Sequence, residues 1–142
     1  MNNEQSKITV PTEINKTEIV CPNDANPMSI LQGGRLVQWM DIAAAVCAQM
    51  HTGKFCVTVS INDVHFKHPA KIGDIISIKA LVSRTFNTSI RIFVQAHSWN
   101  VAQRKKKLIN EAHFTFVALD NNLGCVSIEQ PRHTILNDEK AY

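Results

Sequence analysis

The apolar residues of this chain follow two different spacings, which predict one helix and then a run of strands. Across residues 35–50 the apolar side chains leave almost no polar face, a pattern typical of a helix that is buried nearly all round. We expect the helix to end at residues 51–53, because Gly53 readily adopts the left-handed conformation that closes many helices. The sequence therefore predicts a single long core helix.

After this helix the apolar spacing changes to two residues, the period of a β-strand. Phe55, Val57, Val59 and Ile61 share one phase, and the opposite phase begins at Val64, so we expect a β-bulge at 62–63. The later alternating segments predict strands at 76–82, 90–96 and 111–119, with a basic loop at 100–107.

The residues before the helix have weaker patterns. Short β-type segments at 7–10 and 17–20 flank Pro11 and are expected to be edge strands. Residues 21–28 contain two prolines and several Asn and Asp residues, which predict an ordered loop. We expect the first six residues and the tail from Ser127 to be peripheral.

An early helix followed by consecutive strands argues for an α+β fold, in which an antiparallel sheet wraps round one long central helix. A chain of 142 residues fits one domain, which we expect to cover 1–142 with an ordered core at about 7–126. Because such a sheet leaves one side of the helix and one edge strand open, a homo-oligomer is expected.

The composition agrees with a globular protein of the cytoplasm. Hydrophobic residues make up 44% of the chain and charged residues 19%, which allows a packed core. The net charge is only +3 and the one basic run, 104–107, is short, so we expect no nucleic-acid partner. The chain has neither a secretory start nor an apolar stretch near the ~20 residues of a membrane span, so we expect a cytoplasmic protein without membrane contact.

The cysteines and histidines give no metal-binding pattern. The four cysteines lie far apart without a Cys-x-x-Cys pair, and we interpret them as reduced packing residues. His65 and His68 are the only close histidines, and residues three apart on a strand face opposite sides. No metal is therefore expected, and structural or surface roles are assigned to His51, His97, His113 and His133.

Asp41 is the first candidate for chemistry, because an ionised carboxylate inside an apolar helix is costly to bury without a partner. It could lie on a solvent-facing stripe with other polar residues of the helix, or be satisfied by a nearby backbone donor. Alternatively, in a partly dry cleft it would be a general base or a nucleophile towards an acyl group. The helix pattern alone slightly favours the first interpretation.

Gly33 and Gly34 form the second candidate, since glycines at the start of a helix let a ligand approach the free N–H groups, which favour negative charge. They are candidates for an oxyanion hole, but a Gly-Gly pair alone is more often a flexible turn. Asn26 is the third candidate, and a turn beside Pro27 is its simpler explanation.

Taken together, these residues resemble the hotdog acyl-CoA thioesterases from about Asn26 to Asp120. The match consists of ordered blocks, each similar to a motif of that family: Asn26 with Gly33-Gly34, Trp39-Met40-Asp41-Ile42-Ala43-Ala44-Ala45, Phe66-Lys67-His68-Pro69-Ala70-Lys71-Ile72-Gly73-Asp74, Thr88-Ser89-Ile90 and Phe114-Thr115-Phe116-Val117-Ala118-Leu119-Asp120. The nearest likeness is to the short bacterial type with one hotdog domain.

The resemblance implies hydrolysis of acyl-CoA to free fatty acid and CoA, without a metal or organic cofactor. It implies that Asp41 activates water or attacks the thioester, that Asn26 of a facing subunit orients the reacting group, and that the Gly34 amide steadies the oxyanion. The substrate contacts that we infer are Gly33, Gln32, Lys67, Arg84, Thr88 and Ser89. A dimer as the minimal active unit and a hexamer of three dimers are also implied.

Two alternatives remain beside this resemblance. Residues 24–27 resemble the opening of a hotdog enoyl-CoA hydratase motif, but Ser29 stands where the hydratase histidine is expected. The second alternative is a regulator that binds acyl-CoA without hydrolysing it. In that case Asp41 would be dispensable for the function of the protein. Ser29, Gln32 and His68 also depart from the usual thioesterase residues, which bears on substrate range and phosphate contacts.

Overall fold

A single long helix lies across a five-stranded antiparallel sheet in the computed structural model, which describes residues 12–128. The elements follow one another as β1 (Glu13–Ile19), a 3₁₀ turn (Pro22–Asp24), α1 (Gly33–Thr52), β2 (Phe55–Phe66), β3 (Ile75–Thr85), β4 (Ser89–Asn100) and β5 (Lys105–Leu119). The strand order is β1-β3-β4-β5-β2. The predicted α+β architecture, with its sheet round one central helix, is confirmed.

The helix α1 begins two residues before the predicted segment and ends two residues after it. Gly53 closes it with a φ of 70° and donates its N–H to the carbonyl oxygen of Gln49 at 2.8 Å, which confirms the predicted cap. One side of α1 packs on the inward residues of β3, β4 and β5, and its buried residues include Leu36, Trp39, Met40, Ala43, Ala44, Cys47 and Ala48.

The expectation that α1 is buried nearly all round is wrong for the single chain. Ile42 is 45% exposed, Val46 39% and Met50 67%, and the three lie four residues apart along one stripe of the helix. The sheet covers only the opposite side. The apolar residues of α1 therefore include an exposed stripe that the single chain does not bury.

The sheet has a central antiparallel meander of β3, β4 and β5, while β1 pairs with β3 and β2 returns to pair with β5. The register of β2 shifts between Asn62 and His65, where Asp63 has a φ of 57°, which confirms the predicted bulge. Both β1 and β2 are edge strands, so each leaves one edge of the sheet unpaired within the described chain.

The prediction of a basic loop across 100–107 is wrong for its second half. Lys105, Lys106 and Lys107 belong to β5 and pair with the last residues of β4, so only a four-residue turn separates the strands. All three lysines are exposed. When both faces of a strand end lie in solvent, its residues need not alternate between apolar and polar. The spacing of apolar residues therefore did not predict the start of β5.

Two smaller expectations also need correction. The tail is not peripheral from Ser127, because Ile128 is buried and its N–H bonds the carbonyl oxygen of Asn87 at 2.7 Å. All four cysteines are free, but Cys21 and Cys125 are exposed and do not pack in the core. The prediction of an ordered loop at 21–28 is confirmed, and the loop contains a 3₁₀ turn. The predicted strand at 7–10, the end peptides and His133 lie outside the described residues.

Candidate active site

Asp41 lies on the half-covered flank of α1 and faces the edge strand β2. Its Oδ1 accepts a hydrogen bond of 2.7 Å from the hydroxyl of Thr58. Oδ2 has no hydrogen-bond partner within residues 12–128. The carboxylate is thus held by one oxygen and open at the other, so its partner is a side-chain hydroxyl and not the backbone donor considered above.

Thr58 was not among the predicted site residues. It occupies a polar phase of β2, and polar residues on alternate positions of an edge strand ordinarily face solvent. Nothing in that alternation distinguishes Thr58 from the other polar residues of the strand. Only the three-dimensional pairing with Asp41 identifies it.

Asn26 shapes the loop that leads to α1. Its Oδ1 accepts the backbone N–H groups of Met28 at 2.9 Å and Ile30 at 3.1 Å. The turn brings Ser29 into the left-handed region, with a φ of 64°. With Oδ1 engaged, the side-chain amide group of Asn26 has its N–H donors free of partners in the described chain, and they are available to a ligand.

The first turn of α1 offers unpaired backbone N–H groups, as every helix start does. A Cβ built on Gly33 would lie 3.0 Å from the ring of Phe66, so the ring rests directly on this glycine. A Cβ on Gly34 would meet no atom within 4 Å. Gly34 therefore leaves open space beside the helix start, where the dipole favours negative charge.

A cavity of about 260 Å³ adjoins this helix start. Most of its lining is apolar, with Gly33 and Leu36 on one side and Phe66 and Ile109 on the other. Lys67 and His68 supply polar groups on its wall. Lys67 also lies 3.9 Å from a carboxylate oxygen of Glu111, a long contact that leaves its charge available.

The predicted site residues fall into two groups within one chain. Asn26, Gln32, Gly33, Gly34 and Lys67 surround the start of α1. Asp41 comes seven residues after Gly34, which is about 10 Å along the axis at about 1.5 Å per residue. The separation exceeds the few ångströms that join a general base to its oxyanion donors, so a single chain does not bring the two groups together.

The remaining predicted contacts lie elsewhere or have other partners. Gln32 donates its side-chain amide to the carbonyl oxygen of Ala25 at 3.1 Å and so braces the Asn26 loop. The guanidinium of Arg84 stacks on Phe86 at 5.0 Å, and that of Arg91 lies 5.7 Å from the same ring.

Thr88 and Ser89 stand at the β3–β4 hairpin with this cationic pair. Ser89 pairs with Val117 of β5, whereas the neighbour of Lys67, Phe66, pairs with Asn110. These pairs are seven positions apart along β5, which puts the hairpin roughly 20 Å from the cavity in the same chain.

Apolar residues are exposed on both α1 and β2. On β2, Phe55 is 69% exposed, Val57 45% and Val59 54%. Phe55 and Val57 lie opposite Leu119 and Val117 of β5, so they project on the sheet face away from α1. Exposed apolar patches of this kind on an open sheet edge mark a contact surface.

The buried cysteines are not nucleophiles for this site. Burial, with a smaller contribution from Glu13, raises the pKa of the Cys47 thiol to about 11, and its Sγ points to the carbonyl oxygens of Thr12 and Ala80. Burial also raises the pKa of Cys56. Asp41 is the one carboxylate of α1, and its chemistry is suited to acyl transfer.

Comparison with known proteins gives consistent relatives. The model of the thioesterase superfamily matches residues 28–101. A mouse protein named acyl-coenzyme A thioesterase 11 is 36% identical over 120 residues, which cover 84% of this chain and 20% of the mouse protein. This chain therefore spans about a fifth of the length of the mouse relative.

Two solved structures extend the comparison. An acyl-CoA hydrolase from Staphylococcus aureus, solved with butyryl-CoA and CoA, is 33% identical with a TM-score of 0.78, covering 82% of this chain and 71% of the other. A hexameric thioesterase from Yersinia pestis is 26% identical with a TM-score of 0.77, covering 82% and 95%. The helix of the described chain is not long and apolar enough to cross a membrane.

Proposed function

The chain belongs to the thioesterase superfamily and has the hotdog fold, and from this premise we propose that it hydrolyses acyl-CoA to free fatty acid and CoA. The observation that carries the proposal is the Asp41 carboxylate, fixed by Thr58 of β2 at 2.7 Å with one oxygen open. A carboxylate so placed suits general-base catalysis on a thioester.

In the proposed reaction Asp41 removes a proton from water, and the water oxygen bonds to the thioester carbon. The C–S bond then breaks, and CoA leaves as the thiolate, which takes the proton. Thr58 holds Oδ1 and leaves Oδ2 open, and it is this free oxygen that takes the proton in the proposed step. Direct attack by the same oxygen is the other role that the family resemblance allows for Asp41.

The negative charge that develops on the thioester oxygen needs donors. Asn26 has free amide N–H groups because its Oδ1 is already occupied by Met28 and Ile30. Gly34 offers a backbone N–H with open space beside it. We assign both as oxyanion donors, and one such donor is typically worth about 10²–10³ in rate.

Two copies of the chain are needed to complete this site. Asp41 of one subunit would meet Asn26 and Gly34 of its partner, because the two groups are about 10 Å apart along one helix. The exposed stripe of α1 and the free edge of β2 supply the surface for such a dimer. A hexamer of three dimers is the proposed assembly, and the Yersinia pestis relative is hexameric.

The charged end of the substrate is assigned to two places. Lys67 lies at the cavity beside the helix start, and the stacked guanidiniums of Arg84 and Arg91 stand with Thr88 and Ser89 at the hairpin. Lys and Arg pair strongly with phosphate oxygens. We assign Gly33 to contact with the arm of CoA that joins the phosphates to the thioester. Gln32 acts through the Asn26 loop, which it braces.

We propose a cytoplasmic enzyme that needs no added cofactor.

Three variants of the Staphylococcus aureus hydrolase support the choice of residues. They replace an asparagine, an aspartate and a threonine by alanine. The three positions have the same spacing along that chain as Asn26, Asp41 and Thr58 have here. The spacing adds Thr58 to the proposed catalytic set.

The test is thiol release from short, medium and long acyl-CoAs by the wild type and by single variants. We expect Asp41→Asn to lose more than about 10²-fold in turnover, and Asn26→Ala to lose about 10²-fold or more. Thr58→Val should lose about 10-fold, the value of one hydrogen bond to a charged group.

Glu18→Gln is the matched control, since it removes a surface carboxylate on β1, at the sheet edge opposite β2. It should turn over acyl-CoA like the wild type. Near-normal turnover by Asp41→Asn, with assembly unchanged, would reject the proposal. A wild type that binds acyl-CoA but releases no thiol would instead make the chain a regulator.

A further inference from the structure

Asn110 is a polar residue in the core that the proposed reaction does not use. It lies on β5 with no exposed surface, and neither its Oδ1 nor its Nδ2 has a hydrogen-bond partner within the described chain. A buried donor or acceptor without a partner is costly, so natural proteins retain few of them. Asn110 therefore needs an explanation beyond packing.

Asn110 lies directly behind the wall of the cavity at the start of α1. Its neighbour in sequence is Ile109 and its cross-strand partner is Phe66, and both of these line the cavity. Directly opposed residues of an antiparallel pair project on the same face of the sheet, with Cβ atoms about 5 Å apart. Since the ring of Phe66 rests on Gly33, Asn110 faces the helix as well.

Phe66 is the movable part of this wall. Its side chain is 58% exposed, and the contact with Gly33 involves the far end of the ring. Such a ring can rotate into solvent without disturbing the core. A rotation of this kind would open the amide of Asn110 to the cavity.

The groups at and behind the wall of the cavity suit separate parts of acyl-CoA. Lys67 supplies charge suited to phosphate, and the start of α1 is the proposed place of the thioester oxygen. The arm that joins phosphate to thioester in CoA carries secondary amides, each with one N–H and one carbonyl oxygen. The side chain of asparagine offers the complementary acceptor and donors.

We propose that Asn110 binds an amide of the CoA arm, and that Phe66 turns aside to admit it. The inference rests on the proposed function, because it takes the ligand to be a CoA thioester. Asn110 is then a binding residue. Its side-chain amide has no hydrogen-bond partner in the free protein and gains one when the ligand binds.

The test compares two ligands by titration calorimetry: CoA, which carries the arm, and adenosine 3′,5′-bisphosphate, which has charged phosphates and no arm. Asn110→Val should weaken CoA binding about 3- to 10-fold, the range for one neutral hydrogen bond. Binding of the bisphosphate should be unchanged. The variant should also unfold at a higher temperature than the wild type, because an unpaired buried amide has been removed.

Asn110→Ala serves as a second variant and should give the same difference between the two ligands even if it is less stable. Unchanged CoA binding in Asn110→Val, or equal weakening of both ligands, would overturn the role of Asn110 while leaving hydrolysis by Asp41 untouched. A wild type that binds neither ligand would remove the proposed function itself, and this inference with it.

Discussion

Single polar side chains with local partners determine the candidate site. Thr58 holds Asp41, and the two backbone bonds to Asn26 leave its amide donors free. Asp41, Asn26 and the glycine pair could be selected from the sequence because their spacing resembles a thioesterase motif, although each alone had a simpler structural explanation. Thr58 and Asn110 could not, because a threonine on an edge strand and an asparagine near a strand start are ordinary until their neighbours are known.

His51 gives a prediction at this scale. Its Nδ1 lies 2.8 Å from the hydroxyl of Thr12, and burial lowers its pKa from 6.5. Burial, followed by the charges of Lys106 and Lys79, also lowers the pKa of His97. The unfolded chain therefore binds protons more tightly than the folded chain, so the free energy of unfolding should decrease as the pH falls below about 6.5.

Denaturant unfolding at pH 7.5 and at pH 5.5 would measure this decrease. His51→Gln should reduce the difference between the two pH values, whereas His65→Gln, which removes an exposed imidazole, serves as the control. An unfolding free energy that is the same at both pH values in the wild type, or larger at the lower one, would contradict the argument.

At the scale of elements, burial alternates along β3, β4 and the second half of β5, and this alternation made the strands predictable. The helix was predictable because most of its residues are apolar. The same pattern does not show which part of the helix surface a second chain covers. The start of β5 escaped prediction because its lysines pair through their backbone and keep their side chains in solvent.

The turn before these lysines allows a test of the hairpin. Arg104 has a φ of 55°, in the left-handed region that costs most residues about 1–2 kcal/mol, and its N–H bonds the carbonyl oxygen of Asn100 at 2.7 Å. Arg104→Gly should stabilise the protein by up to about 1 kcal/mol, since glycine adopts this conformation readily. Arg104→Val should destabilise it by about 1 kcal/mol or more, because a branched side chain strongly resists it.

Urea unfolding of the two variants beside the wild type measures both effects. The two substitutions remove the same charge, so a difference between them reports the backbone conformation alone. Equal stability of the glycine and valine variants would mean that the turn does not hold residue 104 in the left-handed region.

At the scale of the whole molecule, three features point to one surface. The apolar stripe of α1, the free edge of β2 and the open side of Asp41 lie together, and the oxyanion donors lie about 10 Å away along the same helix. The shared site explains why one helix carries both exposed apolar residues and a carboxylate. A monomer held apart from its partner should therefore be inactive even when it is folded.

The measurement that tests this account most directly mixes two inactive chains. Asp41→Asn and Asn26→Ala subunits, produced together with different tags and purified as mixed oligomers, should recover thiol release from acyl-CoA. A two-fold dimer that contains one of each has one intact site and one doubly altered site, so random pairing should restore about a quarter of the wild-type rate. If the mixed oligomers stay as inactive as either parent, Asp41 and Asn26 do not act across a subunit interface, and the shared site is wrong.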